Sequence, residues 1–243
     1  MDLPRHRPFA QWRFLQLTLA IVAWMLVAPH LSVKWTGHLA VHVMLFDLML
    51  VTLWANPSSP GVRRAVIALW VLSVVASIAA ALGISHEVEQ VDRTLQTILN
   101  TPIFAACAFG VVVFAFRAER PTVDGIFAMV VVYLVIAMLF AQFYYLALVW
   151  NPDALHLLQP FDQMTLGELR SELVYFSLVT ISTVGYGDIV PSSSTTRMLA
   201  AIEAVIGQFY VAVVVAMFIG MYASQAYERR TGSKQSAGMN DPG

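Results

Sequence analysis

The chain has 243 residues, of which 58% are hydrophobic and 12% charged, with a mean hydropathy of +0.70. A soluble domain averages about 25% charged residues, so this composition excludes an ordinary soluble protein and indicates an integral membrane protein. The net charge of −1 argues against nucleic-acid binding.

Apolar runs predict six membrane spans and one half-span. The first, Phe14–Ala28, is short and extends back past Trp12. It carries no cleavable signal pattern and reads as a retained span. The second, Leu39–Ala55, holds Asp47, with His38 and His42 before it. Two histidines at i and i+4 can chelate a metal, but a hydrogen-bonded or interfacial role is the favoured reading. Ala65–Ile84 is the third span. The fourth, Leu95–Phe116, is interrupted early by Gln96, Asn100 and Pro102. It contains Cys107, the single cysteine, so no intrachain disulfide can form. Gly125–Trp150 and Met198–Tyr222 are the fifth and sixth spans. Breaks fall at Asn56–Gly61, Ser85–Arg93 and Arg117–Thr122, where charge, proline or glycine collects. No internal repeat is visible.

Lysines and arginines set the orientation. Arg5, Arg7, Arg13, Arg63, Arg64, Arg117, Arg120, Arg229, Arg230 and Lys234 share one side with both termini. Lys34, Arg93, Arg170 and Arg197 lie on the other. The richer side is cytoplasmic, so both termini are expected there, and the segment between the fifth and sixth spans opens outward.

That segment holds the half-span. Arg170–Ser182 reads as a short apolar helix, unable to cross a bilayer core of about 30 Å. It suits a re-entrant helix whose negative end points at a cation. Glu168 and Glu172 lie near its positive start. Next comes Thr183-Val184-Gly185-Tyr186-Gly187-Asp188, whose two glycines permit backbone dihedrals that other residues resist. Ile189-Val190-Pro191 turns the chain outward, and Ser192 to Thr196 supply capping hydroxyls.

Taken with its flanks, the hexapeptide resembles the selectivity filter of the tetrameric potassium-channel superfamily, over roughly residues 125–225. The resemblance implies that the carbonyls of Thr183, Val184, Gly185 and Tyr186, with the Thr183 hydroxyl, form consecutive K+ sites. Tyr186 and Val184 would point away from the axis, Gly187 would allow the outward turn, and Asp188 would add negative charge at the outer mouth. Tyr175 and Phe176 stand where many relatives carry a buttressing aromatic pair. Val179 stands where some relatives keep a carboxylate behind the filter, so the filter is expected to rely less on a buried ionised partner.

Two residues of the sixth span are gate or cavity candidates. Gly207 resembles the hinge glycine of many such channels; close helix packing is the equal alternative, and the two roles are compatible. Gly220 is a weaker hinge candidate. Glu203 lies one turn before Gly207 on the same face. It either contributes to a ring of carboxylates near the cavity or makes a hydrogen bond, ionised or protonated, to the re-entrant helix or filter base of its own or a neighbouring subunit. The second reading is preferred. An ionisable group within a span is expensive and usually functional.

Voltage-gated relatives also place four helices before the pore. Sensing needs several positive charges moving through the field, each worth about 2.3 kcal/mol per 100 mV. The fourth span has neither Lys nor Arg, with Arg117 and Arg120 only at its edge, so steep voltage gating is not expected. Residues 1–122 are then left to brace the pore, bind a partner, or sense lipid or tension.

The expected architecture is an all-α membrane protein with six transmembrane helices, a re-entrant pore helix and a filter loop. Residues 1–122 form a four-helix membrane domain, 123–225 the pore domain, and 226–243 a disordered cytoplasmic tail with no room for a ligand-binding domain. One filter per chain requires three identical partner subunits, a closed homotetramer in the lipid bilayer. The expected function is passive, potassium-selective conduction that is not classically voltage-gated. No enzyme activity and no cofactor beyond the permeating K+ is expected, and the compact chain suits a prokaryotic cell membrane. The rivals are a weakly selective cation channel and a nonconducting membrane scaffold or potassium-transporter subunit.

Overall fold

The computed structural model describes residues 13–27, 46, 49, 60–81, 89–116, 123–157, 159, 164 and 166–238. Its helices are α1 (Arg13–Val27), α2 (Pro60–Ala81), α3 (Glu89–Phe116), α4 (Val123–Trp150), α5 (Leu166–Ile181) and α6 (Ser194–Gly238). Two short strands, β1 (Leu155–His156) and β2 (Val190–Pro191), flank α5 and the loop that follows it.

The expected first, third, fourth, fifth and sixth spans fall on α1, α2, α3, α4 and α6, and the half-span on α5. Apart from Phe46 and Met49, which are helical, the expected second span lies outside the described residues, as do His38, His42 and Asp47. Val123–Trp150 and residues 194–220 of α6 are long and apolar enough to cross a membrane, and Phe14–Val27 and Thr97–Val113 are shorter apolar stretches. At 16 residues, α5 is about 24 Å long, which is too short to span.

Several boundaries differ from expectation. The α3 helix starts at Glu89 and runs through Gln96, Asn100 and Pro102. The buried Asn100 side chain accepts the Ser73 hydroxyl at 2.7 Å, joining α3 to α2. Thr101 Oγ1 donates to the Thr97 carbonyl at 2.7 Å, one turn back in the proline-containing stretch. The α5 helix begins at Leu166, four residues before the expected start at Arg170. The α6 helix continues past Tyr222 to Gly238, through residues expected to be disordered. Its composition there, with Gln225, Ala226, Glu228, Arg229 and Arg230, contains good helix formers that carry the backbone ladder onward.

Helix α4 is the shaft of the molecule. It is apolar on every side, which suits a helix enclosed by neighbours. Its first half packs Val131, Val132, Val135 and Met138 against Phe14, Leu17 and Ile21 of α1 and Ile103, Phe104, Cys107 and Val111 of α3. Its second half packs Phe140, Tyr144 and Leu148 against Leu169, Leu173 and Phe176 of α5. Asp124 Oδ1, in the first turn of α4, accepts the Phe14 amide at 2.9 Å, a first-turn amide that α1 itself gives no carbonyl. Tyr210 of α6 donates to the Met129 carbonyl of α4 at 2.6 Å.

The strands pair antiparallel, with Leu155 opposite Pro191 and His156 opposite Val190. Just before β1, the Ala154 carbonyl accepts the amides of Ser192 (2.9 Å) and Ser193 (3.3 Å) and the Thr196 hydroxyl (2.6 Å). Ser193 Oγ accepts the Thr196 amide at 3.1 Å, which makes Ser193 the N-cap of α6. Replacing buried Thr196 by isosteric valine should lower stability by about 1 kcal/mol, read as a lower unfolding temperature of the purified protein.

Candidate functional site

Helix α5 ends in a left-handed cap. After Ile181, the Thr183 amide donates to the Thr180 carbonyl (2.9 Å) and the Val184 amide to the Val179 carbonyl (3.0 Å). This is the Schellman arrangement, and the residue in its left-handed position is normally glycine. Here it is Thr183, at φ 58°. A β-branched residue in that region is a conformational outlier that persists only where its surroundings over-determine it, at a cost of about 1–3 kcal/mol. The Gly185 amide also reaches the Val179 carbonyl, at 3.4 Å.

The loop continues the alternation. Thr183, Gly185 and Gly187 have φ values of 58°, 57° and 80°, while Val184 and Tyr186 between them stay at negative φ. In an ordinary strand successive carbonyls point to opposite sides; residues of alternating handedness cancel that reversal and let neighbouring carbonyls face the same way. Five residues singled out in the sequence, Thr183 to Gly187, therefore form one exposed ribbon of polar backbone. Its apolar side chains are also uncovered within the chain: Val184 is 53% and Tyr186 71% exposed.

The supporting residues come from three helices. Phe176 of α5 is buried, edge-on to Tyr144 of α4 at 4.9 Å. Tyr175 donates its hydroxyl to Asp188 Oδ2 at 2.6 Å, fixing the far end of the ribbon to α5. That bond is the main reason why the Asp188 carboxyl is held below its ordinary range, and it pushes the Tyr175 hydroxyl up to about 12. Glu172 is pushed above the usual carboxylate value, first by partial burial and then by the Asp188 charge. Val179 acts through its backbone, since its carbonyl receives two loop amides.

Helix α6 meets the base of the ribbon at consecutive residues. A Cβ at Gly207 would collide with the Ile181 backbone carbonyl and lie 2.7 Å from the Ile181 Cγ1. The glycine lets α6 pack closely on the end of α5. A Cβ at Gly220 would meet nothing within 4 Å. Gln208 Nε2 donates to the Thr183 hydroxyl at 3.2 Å. Gln208 is not among the residues expected from the sequence, although an uncharged amide in an apolar span, next to the expected hinge, is a usable signal.

Glu203 is 0% exposed. Oε2 accepts the Tyr144 hydroxyl at 2.7 Å, and Oε1 is hydrogen-bonded to the Ser177 hydroxyl. It faces Tyr144 of α4 and Ser177 of α5 in its own chain. Among the described residues, no group of three His, Cys, Asp or Glu side chains could hold a metal ion. What the ribbon offers a cation is backbone carbonyl and one hydroxyl.

Residues 128–224 match a family model described as "Ion channel". A protein of Arabidopsis thaliana named "Two-pore potassium channel 4" is 71% identical over 28 residues, 12% of this chain and 10% of that protein. "Two pore potassium channel a" of Oryza sativa subsp. japonica is 39% identical over 59 residues, 24% of this chain and 16% of that protein. The chain thus covers less than a fifth of either relative's length. Both relatives are from plants, which does not fit the expected prokaryotic source.

Two outcomes test this geometry. Gly207→Ala should reduce both thermal stability and assembly, because a backbone carbonyl must move, whereas Gly220→Ala should be neutral or stabilising by up to about 1 kcal/mol. Melting curves and sizing of the two variants decide it. Because the folded Asp188 value is depressed, its bond to Tyr175 is complete at neutral pH and is lost only as pH falls through that value. Tyr175→Phe should move the Asp188 titration upward, towards the ordinary value near about 3.9, which carboxyl carbon-13 shifts would follow.

Proposed function

With residues 128–224 belonging to the potassium-channel superfamily, we propose that this chain forms a potassium-selective pore that passes K+ passively across a membrane. The observation that carries this reading is the alternation of left-handed backbone at Thr183, Gly185 and Gly187. Four copies of such a ribbon around an axis would stack rings of carbonyl oxygen able to replace the hydration shell of K+. In this reading the carbonyls of Thr183, Val184, Gly185 and Tyr186 and the Thr183 hydroxyl hold the ion. Asp188 draws cations to the outer mouth, and the carbonyl end of α5 faces the permeation path.

The assembly is a homotetramer, because one ribbon does not encircle an ion and the motif occurs once in this sequence. Exposed apolar side chains support it: Val184 and Tyr186 on the ribbon, and Met198, Ile202, Val205 and Phe209 along α6, are uncovered in the single chain. The chain crosses the cell membrane six times with both termini cytoplasmic, in keeping with its lysine and arginine distribution. Its role is conduction and not catalysis. It lacks steep voltage dependence, because the helix in the sensor position, α3, carries no positive charge between Thr94 and Phe116.

The deciding measurement is K+ against Na+ flux in liposomes containing the full chain, with Gly185→Asp as control. Potassium-selective flux, blocked by barium and lost in the variant, is the expected result, with native mass spectrometry giving four chains. Equal Na+ and K+ flux would replace this reading with a weakly selective cation channel. A non-tetrameric assembly without flux would point to a scaffold or transporter subunit.

A further inference from the structure

Glu203 sits where α4, α5 and α6 converge, and the hydrogen atoms available there decide its state. Ser177 Oγ has one proton and two oxygen neighbours. One is the Ala137 carbonyl of α4, at 2.6 Å; the other is Glu203 Oε1. The carbonyl can only accept. If Ser177 gave its proton to Glu203, the Ser177 and Ala137 oxygens would face each other lone pair to lone pair at 2.6 Å. One assignment leaves no such clash: Glu203 Oε1–H donates to Ser177, Ser177 donates to Ala137, and Tyr144 donates to Glu203 Oε2.

The surroundings favour the same assignment. Among the described residues, the titratable groups that face Glu203 are two phenols of α4, Tyr144 in direct contact and Tyr133 farther off. From α5 comes the Ser177 hydroxyl. Among the described residues no cationic side chain neighbours the carboxyl, so an ionised Glu203 would be a buried charge without a counter-ion.

We propose that Glu203 is a neutral carboxylic acid that donates to Ser177, and that it is a positioning residue locking α5 in register between α4 and α6. Its effect on flux rests on the channel reading; its protonation does not. Ser177 lies six residues before Thr183, and Gly207, one turn after Glu203, touches the Ile181 carbonyl. Raising the pH until Glu203 ionises would remove the donor to Ser177, place a charge at the junction and disturb the base of the ribbon.

The test uses the full chain in liposomes. The infrared difference between wild type and Glu203→Gln at neutral pH should show a carboxylic-acid C=O band present only in the wild type. Ser177→Ala should keep that band and shift it, since the acid loses its acceptor. Loss of carboxylate bands alone from the glutamine variant would overturn the proposal, whether or not any variant conducts. In flux, the wild type should decline as pH rises while Glu203→Gln, whose amide can both donate to Ser177 and accept from Tyr144, stays level. Coincident pH profiles would overturn the positioning role.

Discussion

A β-branched residue turned left-handed at the end of a short helix is the constraint on which this structure depends. Thr183 takes the place of the usual glycine in the cap of α5, and from it the chain leaves the helix as a ribbon of alternating hand. The conformation is unfavourable in isolation, so the neighbours have to impose it. Val179 gathers the Val184 and Gly185 amides, Gln208 reaches the Thr183 hydroxyl, and Gly207 lets α6 press against the last carbonyl of α5. Each contact acts within two residues of the turn. The broader architecture has a matching purpose: α4 holds α5 from behind through Tyr144, Leu148 and Phe176, while α1 and α3 support the other half of α4.

The two ends of the ribbon are held by different physics. At the base the contacts are short in reach and depend on shape, with a missing Cβ at Gly207 and a buried hydrogen-bonded junction at Glu203, and Gln208 reaches Thr183 at the exposed edge. At the outer end a carboxylate and a phenol meet in an exposed position, Asp188 with Tyr175. An exposed charged contact is weakened by salt and by acid, whereas a buried neutral junction is indifferent to salt. The base and the mouth therefore answer to different solution conditions although only a few residues separate them.

Much of this was legible in the chain. Composition and long apolar runs marked the long helices, and the shortness of the run before Thr183 marked α5 as too short to span. The ribbon was visible because glycine at 185 and 187 has a conformational meaning that can be read directly. Other features depended on contacts distant in sequence. Glu203 meets residues 59 and 26 positions earlier, so its polar partners were not visible from its own helix. A glycine in a helix carries no mark of what lies against it, and the Ile181 carbonyl above Gly207 shows only in the folded chain. Pro102 looked like a break by local rules, yet α3 runs through it, and Asn100 beside it is tied to Ser73 of the neighbouring helix. The strands were too short to show alternation, and the capping position of Thr183 was hidden because the pattern asks for glycine.

Those two strands have a mechanical consequence. The chain between Leu155 and Pro191, which includes all of α5 and the ribbon, departs and returns through a neck of two paired residues, and the Ala154 carbonyl clasps the start of α6 beside it. Helix α6 starts at this neck and is held again where Gly207 meets the Ile181 carbonyl and where Tyr210 bonds the Met129 carbonyl. Its first 17 residues, Ser194 to Tyr210, are thus tied at three places to the elements that carry the ribbon.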